Sequence, residues 1–114
     1  GNWQINSESA FHGTNSIEKS NANSQLTSPL FTVGEGFIRF FVISDFNHSN
    51  TKLILNVLQD GSSVLTKASY RSDLNDESWT LVEHYLEGGT YAFQWEFDGV
   101  YTNEYVRIDA ISFP

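Results

Sequence analysis

Hydrophobic and polar positions in this chain alternate with a period of two over most of its length. Leu53, Leu55 and Val57 interleave with Ile54, Asn56 and Leu58, and Asp60-Gly61 follows as a tight-turn signal. Tyr91, Phe93, Trp95 and Phe97 fall on one face, while Ala92, Gln94 and Glu96 fall on the other. Residues 37–43 are apolar at both parities except Arg39, the pattern of a strand buried in the middle of a sheet. Residues 64–70, 79–86 and 105–113 read as further strands, with Glu87-Gly88-Gly89 as a turn and Pro114 closing the last. Nowhere do apolar residues recur at helical spacing for three turns. The first third is less regular. Trp3 and Ile5 begin a strand, Ser16-Ile17 marks another, and 26–33 a third, broken by Pro29, which places it at an edge or a bulge. Eight or nine strands with closely spaced turns predict an all-β, two-sheet antiparallel β-sandwich, a jelly roll.

Antiparallel succession also sorts the loops. Connections 34–36, 60–62 and 87–89 are short and glycine-bearing; those at 44–51, 71–78 and 98–104 are long, polar and acidic. Alternate loops share an end, so the three long ones are predicted to gather, and long loops on a rigid scaffold are where binding resides. That end would present Asp45, Phe46, Asp98, Tyr101, Asn103 and Glu104 to a ligand, with His48, Asp73, Asp76 and Glu77 nearby. A plain solvated acidic rim is the alternative. Among the aromatics, Phe93, Trp95 and Trp79 read as packing residues, and Tyr70, Tyr85, Tyr101 and Phe46 as the exposed rings.

Charge narrows the partners. Six basic residues face fourteen acidic ones, a formal net charge of −8. Nucleic acid and anionic lipid both require basic clusters, so neither is expected. The chain lacks Cys and Met, has no apolar run long enough to span a membrane, and opens at Gly1-Asn2-Trp3. It reads as one module, 1–114, excised from a larger protein and expected to be a monomer.

Catalytic signatures are missing: no nucleophile elbow, no phosphate loop and no His-Glu-x-x-His. Glu96 and Asp98 share a strand face about 7 Å apart by strand rise, which is a weak basis for a small glycosidase. A calcium reading is stronger, since Ca²⁺ takes six to eight oxygens and the chain is rich in carboxylates and amides. By strand parity Asp109 shares a face with Ile111 and Phe113, so it is expected to point toward the core, where a carboxylate needs a cation or several hydrogen bonds. An arginine or a tyrosine hydroxyl is the alternative partner.

Several segments, in order, resemble bacterial jelly-roll accessory domains. The run Ile5-Asn6-Ser7-Glu8-Ser9-Ala10-Phe11-His12-Gly13-Thr14-Asn15-Ser16-Ile17 is similar to an opening "S-x-x-A-x-x-G-x-x-S-L". Phe37 to Ser44 resembles "I-x-F-W-x-x-V-S", and Trp79-Thr80 with Leu86 and 89–97 resembles "W-T … L-x-x-G-T-H-x-F-x-W-x-Y". Ile108-Asp109-Ala110-Ile111-Ser112-Phe113-Pro114 is similar to "I-D-N-I-x-F-P", with Ala110 in place of the Asn. The set resembles MAM-like and carbohydrate-binding-module-like jelly rolls. That resemblance implies a non-catalytic carbohydrate-binding or adhesive accessory module of a secreted or cell-surface protein, tethered to neighbouring domains. It also implies a structural Ca²⁺ held by Asp109 and Glu8, with oxygens from Gly13 and Asn15. The competing reading is a spacer that binds nothing.

Overall fold

The computed structural model describes residues 4–5, 17–20, 24–74, 78–100 and 104–114, with side chains from Gln25 onward. Among the described residues there are ten strands: β1 (Gln4–Ile5), β2 (Ile17–Ser20), β3 (Ser24–Thr27), β4 (Phe31–Val33), β5 (Gly36–Asp45), β6 (Lys52–Gln59), β7 (Ser62–Tyr70), β8 (Thr80–Leu86), β9 (Gly89–Asp98) and β10 (Tyr105–Ser112). They form two antiparallel sheets. The first has the order β1-β2-β10-β5-β8; the second is β3-β9-β6-β7, with β4 also paired to β9. The expected β-sandwich is present. A 3-10 turn at Arg71–Asp73 is the one helical element among the described residues, and no helix there is long and apolar enough to cross a membrane.

Alternation decides what lies between the sheets. Ile38, Phe40 and Val42 of β5, Val106 and Ile108 of β10, and Leu53, Leu55 and Val57 of β6 all turn inward and are buried. Tyr91, Phe93, Trp95 and Phe97 complete this core from β9. Trp95 meets Phe40 of the opposite sheet edge-on, with ring centroids 5.8 Å apart, and Phe93 packs on Phe113 at 4.8 Å. Each such side chain contributes about 1.5–3 kcal/mol by leaving water.

Pro29 breaks the edge strand where the sequence placed it. β3 and β4 both pair with β9, on either side of Ser28-Pro29-Leu30. Ser28 bridges the break: its N–H donates to the Phe93 carbonyl at 2.8 Å, and its hydroxyl oxygen accepts the Phe93 N–H at 2.9 Å. The side chain stands in for a backbone acceptor that the ladder lacks there.

In β10 the regular alternation fails. Register shifts between Asp109 and Ser112, and Ala110 holds φ at 52°, a left-handed conformation that costs a Cβ-bearing residue energy. This bulge reverses the parity of the residues after it. Asp109 therefore lies on the outer face with Tyr105 and Arg107, while Ile111 returns to the core. The expectation of a core-facing Asp109 is corrected: parity counted back from Ile111 assumed an unbroken strand. Ala110→Gly should stabilise the fold by about 0.5–1 kcal/mol, seen as a rise of a few degrees in thermal melting.

Candidate functional site

Two surfaces compete for function, the loop end and the outer face of the first sheet. The loop end is assembled as the succession of strands predicts. Asp45 lies opposite Tyr105, and Lys52 lies opposite both Tyr70 and Asp98, so the three long connections leave from the same end. Glu104 ties two of them, 44–51 and 98–104, together. Its Oε2 accepts the N–H groups of Asn47 at 2.6 Å and His48 at 3.2 Å, and its Oε1 accepts the Val100 N–H at 3.0 Å. The Thr51 hydroxyl lies 2.8 and 2.7 Å from the two carboxylate oxygens.

This arrangement corrects two expected ligand contacts. Glu104 is 0% exposed, and Phe46 is 1% exposed and stacks on Phe97 at 5.7 Å, so neither has surface to give a ligand. Both build the end of the sandwich instead. Asp98 stays near the surface, 3.6 Å from the Lys52 ammonium, and Asp45 is half-buried at the end of β5. Tyr101 and Asn103 lie outside the described residues. The two carboxylates considered for glycoside hydrolysis are engaged elsewhere: Glu96 accepts from Gln25 at 3.0 Å, and Asp98 has Lys52.

The outer face of the first sheet carries an exposed aromatic surface. Along β5, Phe37, Arg39 and Phe41 point outward, opposite Tyr85, Glu83 and Leu81 of β8. Phe37, Phe41, Trp79 and Tyr85 are 41%, 40%, 42% and 44% exposed. Phe37 and Tyr85 meet edge-on with centroids 5.8 Å apart. Arg39 lies over the Phe37 ring at 5.2 Å and donates from Nε to Glu83 Oε2 at 2.9 Å. Phe41 is flanked on its other side by Asp109 of β10, and Phe41, Trp79, Asp109 and Ala110 line a shallow pocket. Strand rise puts Phe37 and Phe41 about 13 Å apart, so the platform is longer than a single sugar ring.

Sequence reasoning missed Phe37 and Phe41 by reading 37–43 as buried on both faces. The signal was Arg39, which shares their parity: a charge in the row marks that face as open. Trp79, expected to be a packing residue, is likewise on this surface. Tyr85 was expected to be exposed and is. Its phenol is pushed above the ordinary value, chiefly because its hydroxyl donates to the Glu35 carboxylate, with desolvation and the charges of Glu35 and Glu87 adding to the shift. A resonance-resolved titration should find Tyr85 ionising above the usual ~10, and Glu35→Ala should bring it down.

The opposite face of the sandwich is different in kind. Thr66 donates to Asn56, Asn56 to Gln94, and Gln94 to Thr27, at 2.9, 3.1 and 3.1 Å. These polar groups satisfy one another across four strands, and Tyr70 is the large exposed ring there.

Around Asp109 the described residues do not fit a calcium site. Its Oδ1 accepts the Ala110 N–H at 2.7 Å, and its other neighbours in the pocket are two aromatic rings where Ca²⁺ would need an oxygen shell. Among the described residues no three His, Cys, Asp or Glu side chains gather to hold a metal. Glu8, Gly13 and Asn15 lie outside the described residues.

No family model matches the chain, and no curated protein sequence matches it. Solved structures do. One, described as "CBM4 structure and function", superposes with a TM-score of 0.56 at 11% identity, covering 97% of this chain and 76% of that one. Another concerns "the promiscuous specificity of the carbohydrate-binding modules from the beta-sandwich super family", with a TM-score of 0.56 at 14% identity over 98% of this chain and 52% of that one. Both share the two-sheet antiparallel β-sandwich fold of this chain. At such identities the likeness is one of architecture, and the site must be argued from its own residues.

Proposed function

We propose that this chain is a non-catalytic carbohydrate-binding module and that its ligand lies on the outer face of the first sheet, across Phe37, Tyr85, Phe41 and Trp79. The observation that carries the reading is the set of exposed rings on one sheet face: Phe37 beside Tyr85 across β5 and β8, and Phe41 with Trp79 around the shallow pocket. The apolar faces of pyranose rings stack on such surfaces, while Glu83, Arg39 and Asp109 lie among the rings to meet hydroxyl groups. Scattered exposed apolar residues need no explanation, but four exposed rings gathered on one sheet face, with the Arg39–Glu83 pair among them, mark an interaction site. The carbohydrate-binding β-sandwich architecture supports the same class of ligand. The motif resemblance supports an accessory role beside other domains in a secreted or cell-surface protein.

Affinity electrophoresis through gels containing soluble polysaccharides tests the assignment. Retardation should be lost with Trp79→Ala and Tyr85→Ala, each folding normally, and kept with Asp98→Ala. Loss with Asp98→Ala alone would move the site to the loop end. Absence of retardation on every polysaccharide would favour a spacer domain, and turnover abolished by Glu96→Gln would favour a glycosidase.

A further inference from the structure

We propose that the pocket lined by Phe41, Trp79, Asp109 and Ala110 takes a protonated amine carried on a sugar ring, so that the ligand of this face is an amino-sugar glycan. The inference rests on the carbohydrate reading above and specifies its chemistry. Three observations meet at this pocket.

The first is its donor set. Two aromatic rings, each about two-fifths exposed, stand beside one carboxylate. Aromatic faces attract organic cations through the ring quadrupole, and a neighbouring carboxylate adds a charge-assisted hydrogen bond. The same rings accept the apolar face of a pyranose. One sugar bearing an ammonium group uses both properties at once.

The second is the state of Asp109. Asp109 faces outward with Tyr105 and Arg107, and at the bulge its Oδ1 is fixed by the Ala110 N–H at 2.7 Å. Among the described residues Oδ2 has no assigned partner. The bulge thus orients an acceptor beside the rings of the pocket.

The third is charge complementarity. The chain carries −8 overall; of the cations on this face, Arg39 is paired with Glu83 at 2.9 Å, and Arg107, two residues before Asp109, is engaged as well. An acidic glycan would approach a surface of its own sign; a basic one is drawn to it. A neutral sugar gains nothing from Asp109 beyond an ordinary hydrogen bond.

Isothermal titration of the intact chain with three soluble probes separates the possibilities: a glucosamine oligomer, its N-acetylated counterpart and a glucose oligomer of equal length. The glucosamine oligomer should bind most tightly, by roughly tenfold over the other two, the weight of one charge-assisted hydrogen bond. That advantage should shrink as salt rises, since exposed charge pairs are screened. Asp109→Asn, checked for unchanged melting, should erase the advantage and leave the weaker binding of the other probes intact. Trp79→Ala should weaken all three.

Equal binding of all three probes, unaffected by Asp109→Asn, would overturn the inference and leave the carbohydrate reading standing. No binding by any probe, together with no retardation on any polysaccharide, would remove both. Choline binding as tightly as the glucosamine oligomer would overturn the sugar component. Calcium that raises the melting temperature of the parent but not of Asp109→Asn, and that blocks the glucosamine oligomer, would assign the carboxylate to a metal and overturn the proposal.

Discussion

Glu104→Ala is expected to destabilise the fold by about 3–5 kcal/mol, a large share of the ~5–15 kcal/mol that holds a domain together. The carboxylate is fully buried and takes hydrogen bonds from the N–H groups of Asn47, His48 and Val100 and from the Thr51 hydroxyl. Truncation leaves these donors without their acceptor, at about 1–3 kcal/mol for each that stays dry, and water entering the vacated space recovers part. Glu104→Gln should fall between the alanine variant and the parent. It keeps the shape, but its amide –NH₂ must face at least one of the N–H donors. The effect reaches across both sheets, because the N–H groups lie in the loops after β5 and β9. Urea denaturation measures the loss, and hydrogen exchange locates it: the amides of Asn47, His48 and Val100 should lose protection first. A glutamine variant as stable as the parent would contradict this account of the loop end.

Trp95→Ala should cost about 3–5 kcal/mol as well, for a different reason. Trp95 is fully buried at the centre of the sandwich, edge-on to Phe40 of the facing sheet. Its removal forfeits the transfer free energy of the largest core side chain and leaves a cavity that neighbouring strands can close only in part. Trp79→Ala, in contrast, should change stability by no more than about 0.5 kcal/mol, as surface substitutions do. The same substitution at two tryptophans thus separates a packing role from a binding role. Equilibrium urea denaturation of both variants checks the contrast; equal losses would place Trp79 in the core.

How far the sequence could be read depended on whether neighbouring positions obeyed one rule. In β6 and β9 strict alternation held, so Leu53, Leu55, Val57 and the inward aromatics of β9 were legible as core. Loop succession was legible for the same reason, since each antiparallel strand reverses the chain. Pro29 announced its edge position through the hydrogen bond that it cannot donate. The exposed aromatic face was not legible in β5, because Phe37 and Phe41 are apolar whether they face solvent or core. Only Arg39 between them marked the side. Asp109 was misplaced because a bulge has no unambiguous signature when Ala, not Gly, holds the left-handed position. Glu104 and Phe46 looked like loop-surface residues. Their burial follows from loops closing over the end of the sandwich, a long-range packing event that no local period encodes.

Whether a carbohydrate lies on the outer face of the first sheet is tested most directly by mapping the contact with NMR. The nitrogen-labelled chain would be titrated with a soluble oligosaccharide from a polysaccharide that retards it. The Trp79 indole N–H and the backbone amides of Phe37, Phe41 and Tyr85 should shift progressively to saturation, while the buried Trp95 indole stays in place. Shifts confined to the loops at 44–51 and 98–104, with the Trp79 indole unmoved at saturation, would contradict the assignment.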